Sequence, residues 1–383
     1  MKCKLSDICS FRKVKVGIEN LNEQNYISTE NMLPNKCGIT KASSLPNVPA
    51  IHEYKKGDIL VSNIRPYFKK IWQAKYDGGC SNDVLVFVPN VNADKSFLYY
   101  VLANDDFFKY SMATSKGTKM PRGDKTAIMN YEVSLFDLNT QKKIASILKA
   151  LDEKIEFNNA INNNLEQQIS ALFINMFGFN IDTLAENKFK LGDLVESVDN
   201  RGKTPPLSDN PTSYPIIDVK ALSGDIRIVD YNNCTKYVSE ETYNNWFRSG
   251  HPKPYDILVS TVGSLAEMKI FLGDIGCIAQ NVVSFRSKGI SPLYLYQYLN
   301  YIKSNLVAYN IGSVQPSIKV THIIKHPIYV APQDEIDKFD SVARSITEKI
   351  FANCQENENL KHLRDTLLPK LMSGELDVSN IEL

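Results

Sequence analysis

The chain has 383 residues, of which 43% are hydrophobic and 23% are charged, and its formal net charge is +1. These values are typical of folded globular proteins, and the length predicts two domains or more. No run of about 18 apolar residues occurs, so we expect no membrane-spanning helix, and we expect no secretory signal. Seven scattered cysteines without a C-x-x-C pair predict reduced thiols in a cytoplasm.

The chain contains an internal duplication, and repeats of this kind decide the architecture. The pentapeptide DILVS occurs at Asp58–Ser62 and again at Asp256–Ser260, an offset of 198 residues. At an offset of 195 residues, GTKMPRGDKTAI (from Gly117) aligns with GSVQPSIKVTHI (from Gly312). Further matches keep the same order and nearly the same spacing. We therefore interpret the chain as two copies of a globular half followed by a long helix.

The first globular half, residues 1–140, alternates short strand patterns with turns. GDILVS and VLVFVP predict strands, whereas SFLYYVLANDDFFKYSM predicts an amphipathic helix. Two segments of this half interleave cations with aromatic or turn residues, a pattern suited to phosphate or base-edge contacts. A solvated loop and a set of core aromatics with snorkelling lysines are the alternatives. The candidate DNA contacts are Arg65, Lys69, Lys70, Lys75, Lys116, Lys119, Arg122 and Lys125.

A heptad pattern begins at Gln141 and predicts a long coiled-coil helix over residues 141–178. Its stripe consists of Ile144, Leu151, Asn158, Leu165 and Leu172. At about 1.5 Å per residue, such a helix is roughly 55 Å long and would project from a single globular half. We expect its packing partner to be the second copy of the helix.

The second globular half, residues 179–332, repeats the strand and helix patterns of the first. Gln315 is a candidate for a bidentate contact with adenine, and a turn-capping amide is the alternative. The segment THIIKHPIYV (from Thr321) predicts a strand, so a metal site at His322 and His326 is not expected. The candidate DNA contacts of this half are Arg201, Lys203, Lys269, Gln315 and Lys319.

A second heptad pattern over residues 333–377 predicts the C-terminal long helix, and residues 378–383 form a tail. The residues equivalent to the first stripe are Phe339, Ile346, Asn353, Leu360 and Leu367. Pro369 is expected to break this helix, and Gly374 suits its end.

Both helices place asparagine at the middle of the seam. If the helices pack antiparallel, their middles meet, and a shared layer of amides and lysines fixes register and orientation. Asparagines that face solvent in a weak part of the helix are the alternative. The residues predicted for this layer are Lys154, Asn158, Asn162, Lys349, Asn353 and Asn357.

The second long helix ends in LRDTLLPKLMSGEL (Leu363–Leu376). This ending, the duplicated plan and the QKKI opening of the first helix together resemble the specificity subunit of type I restriction-modification systems. FKLGDLVESVDNRGKTPP (from Phe189) is similar to the start of the family's second target-recognition domain, and GSVQPSI (Gly312–Ile318) to a loop in that domain. The first half departs from this pattern, since it has GTKMPRG at the loop and lacks the Gly-x-x-Pro-Pro element.

The resemblance implies an α+β chain with two globular α/β target-recognition domains, separated by two long antiparallel coiled-coil helices in a pseudo-two-fold arrangement. Each domain would read one part of a bipartite double-stranded DNA target, and the helices would set the spacer and dock two methyltransferase subunits. Restriction subunits are further partners. The chain itself would hold no catalytic residue, metal or cofactor, since S-adenosylmethionine, ATP and Mg would belong to the partner subunits. A two-headed scaffold for proteins and a self-sufficient adenine methyltransferase are the other hypotheses.

Overall fold

The computed structural model describes residues 2–183, 189–200, 202, 204–379 and 381. The chain forms two compact units, of which the first contains residues 1–155 and 358–383 and the second contains residues 156–357. Each unit combines one globular domain of mixed strands and helices with a segment from each of two long helices. No helix in the described part of the chain combines the length and the apolarity that a membrane span requires.

The globular domain of the first unit contains two four-stranded sheets. Its strands are β1 (Lys2–Lys4), β2 (Cys9–Phe11), β3 (Lys15–Gly17), β4 (Tyr26–Ile27), β5 (Ala50–Tyr54), β6 (Ile59–Ser62), β7 (Ile71–Gln73), β8 (Gly78–Cys80), β9 (Val84–Pro89) and β10 (Glu132–Ser134). Its helices are α1 (Leu5–Ile8), α2 (Lys95–Ala103), α3 (Asp105–Ala113) and α4 (Lys125–Met129). The first sheet is antiparallel, with the order β2-β9-β6-β7, and the second has the order β3-β5-β8-β4. The DILVS strand β6 is therefore central, with all four residues buried.

The first long helix, α5 (Leu138–Phe173), continues through a π-helical turn (Ile174–Gly178) into α6 (Phe179–Thr183). The globular domain of the second unit then follows. Its strands are β11 (Phe189–Lys190), β12 (Val195–Val198), β13 (Ile216–Ile217), β14 (Ile257–Ser260), β15 (Met268–Ile270), β16 (Cys277–Ile278), β17 (Val282–Ser287) and β18 (Pro327–Ile328). Its helices are α7 (Leu191–Leu194), α8 (Glu240–Trp246), α9 (Pro292–Tyr301), α10 (Lys303–Val307) and α11 (Val320–Ile323), and α12 (Gln333–Ser373) is the second long helix.

The second domain repeats the topology of the first. Its main sheet has the order β12-β17-β14-β15, in which each strand corresponds to one of β2-β9-β6-β7. The parallel pair β13–β16 corresponds to β4–β8, and the antiparallel pair β11–β18 corresponds to β1–β10. Because these strand pairs agree, the duplication seen in the sequence is a duplication of fold, to which the first domain adds β3 and β5 in its second sheet.

The long helices pack antiparallel in each unit, as predicted for the fold. In the second unit the ring centroids of Phe173 and Phe339 lie 5.4 Å apart, so the end of α5 contacts the beginning of α12. In the first unit Ile144 and Leu148, near the beginning of α5, share one buried cluster with Leu371 near the end of α12. Helix segments of opposite direction therefore close the core of each unit.

Two local predictions are wrong. Pro369 does not break α12, which continues to Ser373 and ends at Gly374 with φ +80°. Leu368 and Leu371 are buried on either side of the proline, and their packing offsets the one backbone hydrogen bond that proline cannot donate. The predicted strand from Thr321 is reduced to β18, because the buried residues Val320 and Ile323 have helical spacing and form α11.

Candidate nucleic-acid interface and buried helix layer

In the first domain, two loops that hold the candidate cations are joined by backbone hydrogen bonds. We call residues 63–70 and 115–125 the first loop pair. Ile64 forms a β-bridge with Arg122, and the N–H of Arg65 donates to the carbonyl of Pro121 at 2.8 Å. Lys116 forms a second bridge with Arg122 across its own loop. The ends of β6 and of the GTKMPRG loop are thus held together as one surface.

The cations of the first loop pair are partly neutralised by neighbouring carboxylates. Lys116 lies 2.6 Å from Asp124, and this hydrogen bond raises the pKa of Lys116. Arg122 Nη2 lies 3.1 Å from Asp83 Oδ1, and its side chain remains more than half exposed. These contacts hold the cations at defined positions while leaving them accessible to a stronger anion such as phosphate.

The other candidates in this domain differ in accessibility. Lys119 and Lys125 are exposed within the first loop pair, whereas Lys75 is exposed outside it, after β7. Lys70 is half-buried and donates to the carbonyl of Thr29 at 2.6 Å, and burial lowers its pKa. Arg65 is half-buried.

A shallow cleft of about 770 Å³ lies at the first loop pair. Its lining combines the side chains of Lys116, Met120 and Arg122 with that of Asn63. The Oδ1 atom of Asn63 is buried without a hydrogen-bond partner, as is the Nε atom of Arg65. Unsatisfied buried groups of this kind are uncommon and favour a site that is completed by a ligand.

The second domain repeats this framework with different side chains. We call residues 261–267 and 310–319 the second loop pair. Val262 forms a β-bridge with Ser317, and the N–H of Gly263 donates to the carbonyl of Pro316 at 3.0 Å. These contacts match the bridge and hydrogen bond of the first loop pair, residue for residue under the repeat. Gln315 and Lys319 are both exposed here.

Of the three other candidates in the second domain, the structure places only Lys269. Arg201 and Lys203 lie outside the described residues. The prediction that Lys269 contacts DNA is wrong. Lys269 lies on β15 with only 2% exposure and donates through Nζ to the carbonyls of Gly224 and Ile226. Burial lowers the pKa of Lys269 to about 8. A side chain enclosed in this way cannot contact DNA from its present position.

The four predicted asparagines lie together in the second unit, where α5 and α12 meet. Each is at most 4% exposed. Asn158 Nδ2 donates to Asn357 Oδ1 at 2.9 Å, and Asn353 Nδ2 donates to Asn162 Oδ1 at 2.8 Å. We call these four residues the amide layer. The side chains of Lys154 and Lys349 are exposed and lie outside it.

A buried ion pair that the sequence patterns did not indicate attaches the second domain to the long helices. Arg227, with 0% exposure, binds Glu166 of α5 through Nε at 3.0 Å and Nη2 at 2.8 Å. Its Nη1 donates to Thr347 of α12 at 2.9 Å, and its guanidinium lies 5.4 Å from the ring of Tyr296. Arg227 belongs to an irregular loop without periodicity, so only its tertiary contacts identify it.

The histidines considered as metal ligands have other surroundings. His322 lies on α11, and His326 is 7% exposed with its ring nitrogen Nδ1 2.9 Å from the hydroxyl of Tyr309. Burial lowers the pKa of His326. Within the described residues, no cluster of three or more His, Cys, Asp or Glu side chains is arranged to hold a metal ion.

Two domains with one topology, matching loop pairs and an antiparallel helix segment in each unit define a duplicated coiled-coil protein. The family model described as the type I restriction modification DNA specificity domain matches residues 1–167 and again residues 186–350. The chain therefore belongs to the type I restriction-modification DNA specificity family.

Similar proteins span nearly the whole chain. The type I restriction enzyme HindI specificity subunit of Haemophilus influenzae is 25% identical over 92% of this chain and 94% of its own length. The MjaIX specificity subunit of Methanocaldococcus jannaschii is 24% identical over 86% of this chain and 79% of its own. The crystal structure of the S subunit from M. genitalium has a TM-score of 0.56 and 16% identity, and covers 99% of this chain and 96% of that one. This last likeness concerns the fold.

Proposed function

We propose that this chain reads a bipartite, asymmetric DNA target for a type I restriction-modification complex, with one globular domain for each part. The observation that carries the proposal is the loop pair that follows the DILVS strand in both domains. One backbone framework repeated twice supports two reading surfaces. Different side chains on the two frameworks, such as Arg122 in the first and Gln315 in the second, support two different half-sites.

The long helices set the gap between the two half-sites in this proposal. Dimeric DNA readers contact half-sites about one duplex turn apart, or roughly 34–36 Å. A helix of 36 residues is about 54 Å long, which is sufficient for such a span. The amide layer supports the role of spacer because a slipped pairing would leave buried amides without partners, so one register is favoured.

An exposed apolar face of α5 is our candidate for docking the methyltransferase subunits. Phe157 is 65% exposed and Ile161 is 44% exposed, and their spacing places them on one face of the helix. Large apolar side chains on a surface are common at protein interfaces. We expect two methyltransferase subunits, with restriction subunits as further partners in the cytoplasm. S-adenosylmethionine, ATP and Mg would be held by those partners, and this chain would be non-catalytic.

The test is co-expression of the full chain with its methyltransferase subunit, followed by methylation-sensitive sequencing of the host DNA. The expected result is methylated adenine in a two-part motif. A variant with one heptad inserted into each long helix should lengthen the gap and leave both half-motifs unchanged. Half-motifs that change while the gap stays constant would contradict the spacer role.

Two further measurements separate the alternative functions. DNA affinity of the chain should fall steeply as salt rises, since neutralised phosphates release counterions. A scaffold that binds only proteins would show no such dependence. The purified chain with labelled S-adenosylmethionine and mixed DNA should incorporate no label, and incorporation without added subunits would identify a self-sufficient methyltransferase instead.

A further inference from the structure

The first loop pair carries an aromatic turn that the second loop pair lacks. Pro66–Phe68 form a 3-10 turn, and the rings of Tyr67 and Phe68 lie 4.7 Å apart at the surface. Tyr67 is 49% exposed and Phe68 is 38% exposed. The corresponding segment of the second domain, residues 263–267, has no aromatic residue, and its Leu265 is buried.

The backbone holds this turn in an unfavourable conformation on both sides. Arg65 and Lys69, which flank it, are both left-handed with φ 50°. This region is costly for residues other than glycine. The second domain has Gly263 with φ +86° at the position of Arg65, so the difference between the domains lies on that side of the turn, while Ala266 on the other side is left-handed with φ +54°. Left-handed residues that persist without glycine concentrate at functional sites, where the surroundings enforce them.

Hydrogen bonds and ion pairs enforce the conformation. The N–H of Asn35 donates to the carbonyl of Phe68 at 2.8 Å, and the N–H of Lys36 donates to that of Lys69 at 3.0 Å. The ammonium groups of Lys36 and Lys69 both bind Asp105, at 2.8 and 2.7 Å. The turn is therefore preorganised, and its rings are exposed because the structure holds them there.

The chemistry around the rings favours nucleic acid over protein as their partner. Lys70 Nζ lies 5.7 Å from the ring of Phe68, and Arg122 lies on the strand segment bridged to Ile64. Protein interfaces are depleted of lysine around their apolar centre. In contrast, proteins that deform duplex DNA insert apolar side chains between base pairs while flanking cations contact the phosphates.

We infer that Tyr67 and Phe68 form a wedge that stacks on the bases of one step in the first half-site. This inference rests on the proposed function and adds a mode of reading to it. A wedge selects steps that unstack easily, so the first half-site should depend on DNA flexibility at that step. The second half-site, read without such a turn, should depend on base-edge contacts.

The test uses the full chain assembled with its methyltransferase subunits and a duplex that contains the bipartite motif found by sequencing. Each adenine of the first half-site except the methylated one, which methyltransferases extrude from the stack themselves, is replaced in turn by 2-aminopurine, whose fluorescence rises when a base unstacks. The wild type should raise the fluorescence at one step. Tyr67→Ala with Phe68→Ala should abolish that rise and weaken the complex by roughly 5- to 150-fold, which corresponds to ~1–3 kcal/mol per stacked base. Tyr67→Ser alone is a milder second variant.

Phe179→Ala is the matched control, because Phe179 is an aromatic residue with 80% exposure in the second unit. It should leave both the fluorescence and the motif unchanged. A double variant that melts like the wild type and keeps the fluorescence rise would overturn the wedge without affecting the proposed function. Loss of methyltransferase subunits, with both half-sites weakened equally, would also overturn it and indicate a protein contact. No bipartite motif with the wild type would refute the proposed function itself.

Discussion

In both globular domains a buried aspartate stands at the start of the central strand, and an arginine neutralises it. Asp58 accepts from Arg12 at 2.6 and 3.0 Å, and Asp256 accepts from Arg286 at 2.8 and 3.1 Å. The two arginines come from different places in the repeat, since Arg12 directly follows β2 and Arg286 lies within β17. The repeat thus retains the buried carboxylate and its ion pair, while the position that supplies the cation has moved.

The surfaces of the two domains likewise combine a retained framework with changed side chains. The bridges that join the loop pairs are backbone interactions, so they tolerate changes of side chain. The side chains that the loops present differ almost completely between the two domains. A framework of backbone contacts with variable side chains allows one fold to present two chemically distinct surfaces.

The largest expected effect concerns the ion pair that attaches the second domain to the long helices. Arg227→Ala leaves the partly buried Glu166 without its cation and should reduce the free energy of unfolding by about 3 kcal/mol or more, measured by urea denaturation. The control is Lys338→Ala, which removes an exposed pair with Asp334 on α12 and should cost much less, because exposed ion pairs contribute little to stability. Equal losses in the two variants would show that the buried pair stabilises nothing beyond a surface one.

The next effect concerns a buried position of the main sheet at which the two domains differ. Lys269 faces Leu258 on β14, and the first domain has Trp72 facing Leu60 at this position. Because the pKa of Lys269 falls from 10.5 to about 8 on burial, the unfolded chain binds more protons between these values.

Stability should therefore rise with pH from about 8 to about 10.5, by up to about 3 kcal/mol relative to Lys269→Met, which cannot titrate. The measurement is the difference between the unfolding free energies of the two proteins across this range. A difference that stays constant with pH would show that Lys269 remains charged in the folded protein.

The amide layer offers a comparison between the two copies of the helix. Asn353→Leu alone leaves the buried Oδ1 atom of Asn162 without its donor and should cost about 1–3 kcal/mol of unfolding free energy. Adding Asn162→Leu should restore much of this loss, because two facing leucines pack without unsatisfied groups. The exposed Asn164→Leu is a control on α5. Additive losses in the double variant would mean that the two amides are not coupled.

The smallest expected effect concerns the salt dependence of DNA binding, in which a charged residue of the first loop pair is compared with its uncharged counterpart in the second. Lys119→Ala should weaken DNA binding uniformly across sequences and reduce the slope of log affinity against log salt by about 1. Val314→Ala changes the corresponding residue of the second loop pair, which is 97% exposed and uncharged, and should leave the slope unchanged. Equal slopes for wild type and Lys119→Ala would remove Lys119 from the DNA contacts.

The amino-acid sequence by itself determined the duplication, the class of fold and the antiparallel pairing of the long helices. These features depend on patterns that repeat along the chain, such as DILVS and the heptads with Asn158 and Asn353. A seam of fixed period specifies its partner and its direction because a slip of register would bury unpaired amides.

Only the tertiary structure decided which polar residues are buried and which contact one another. Lys269 and Arg227 look alike in the sequence as cations in short irregular segments, yet one lies inside the sheet and the other between the helices. Likewise, α12 continues through Pro369 because neighbouring leucines are packed. The physical reason is that burial and pairing depend on residues far apart in the chain, and no local pattern records such contacts.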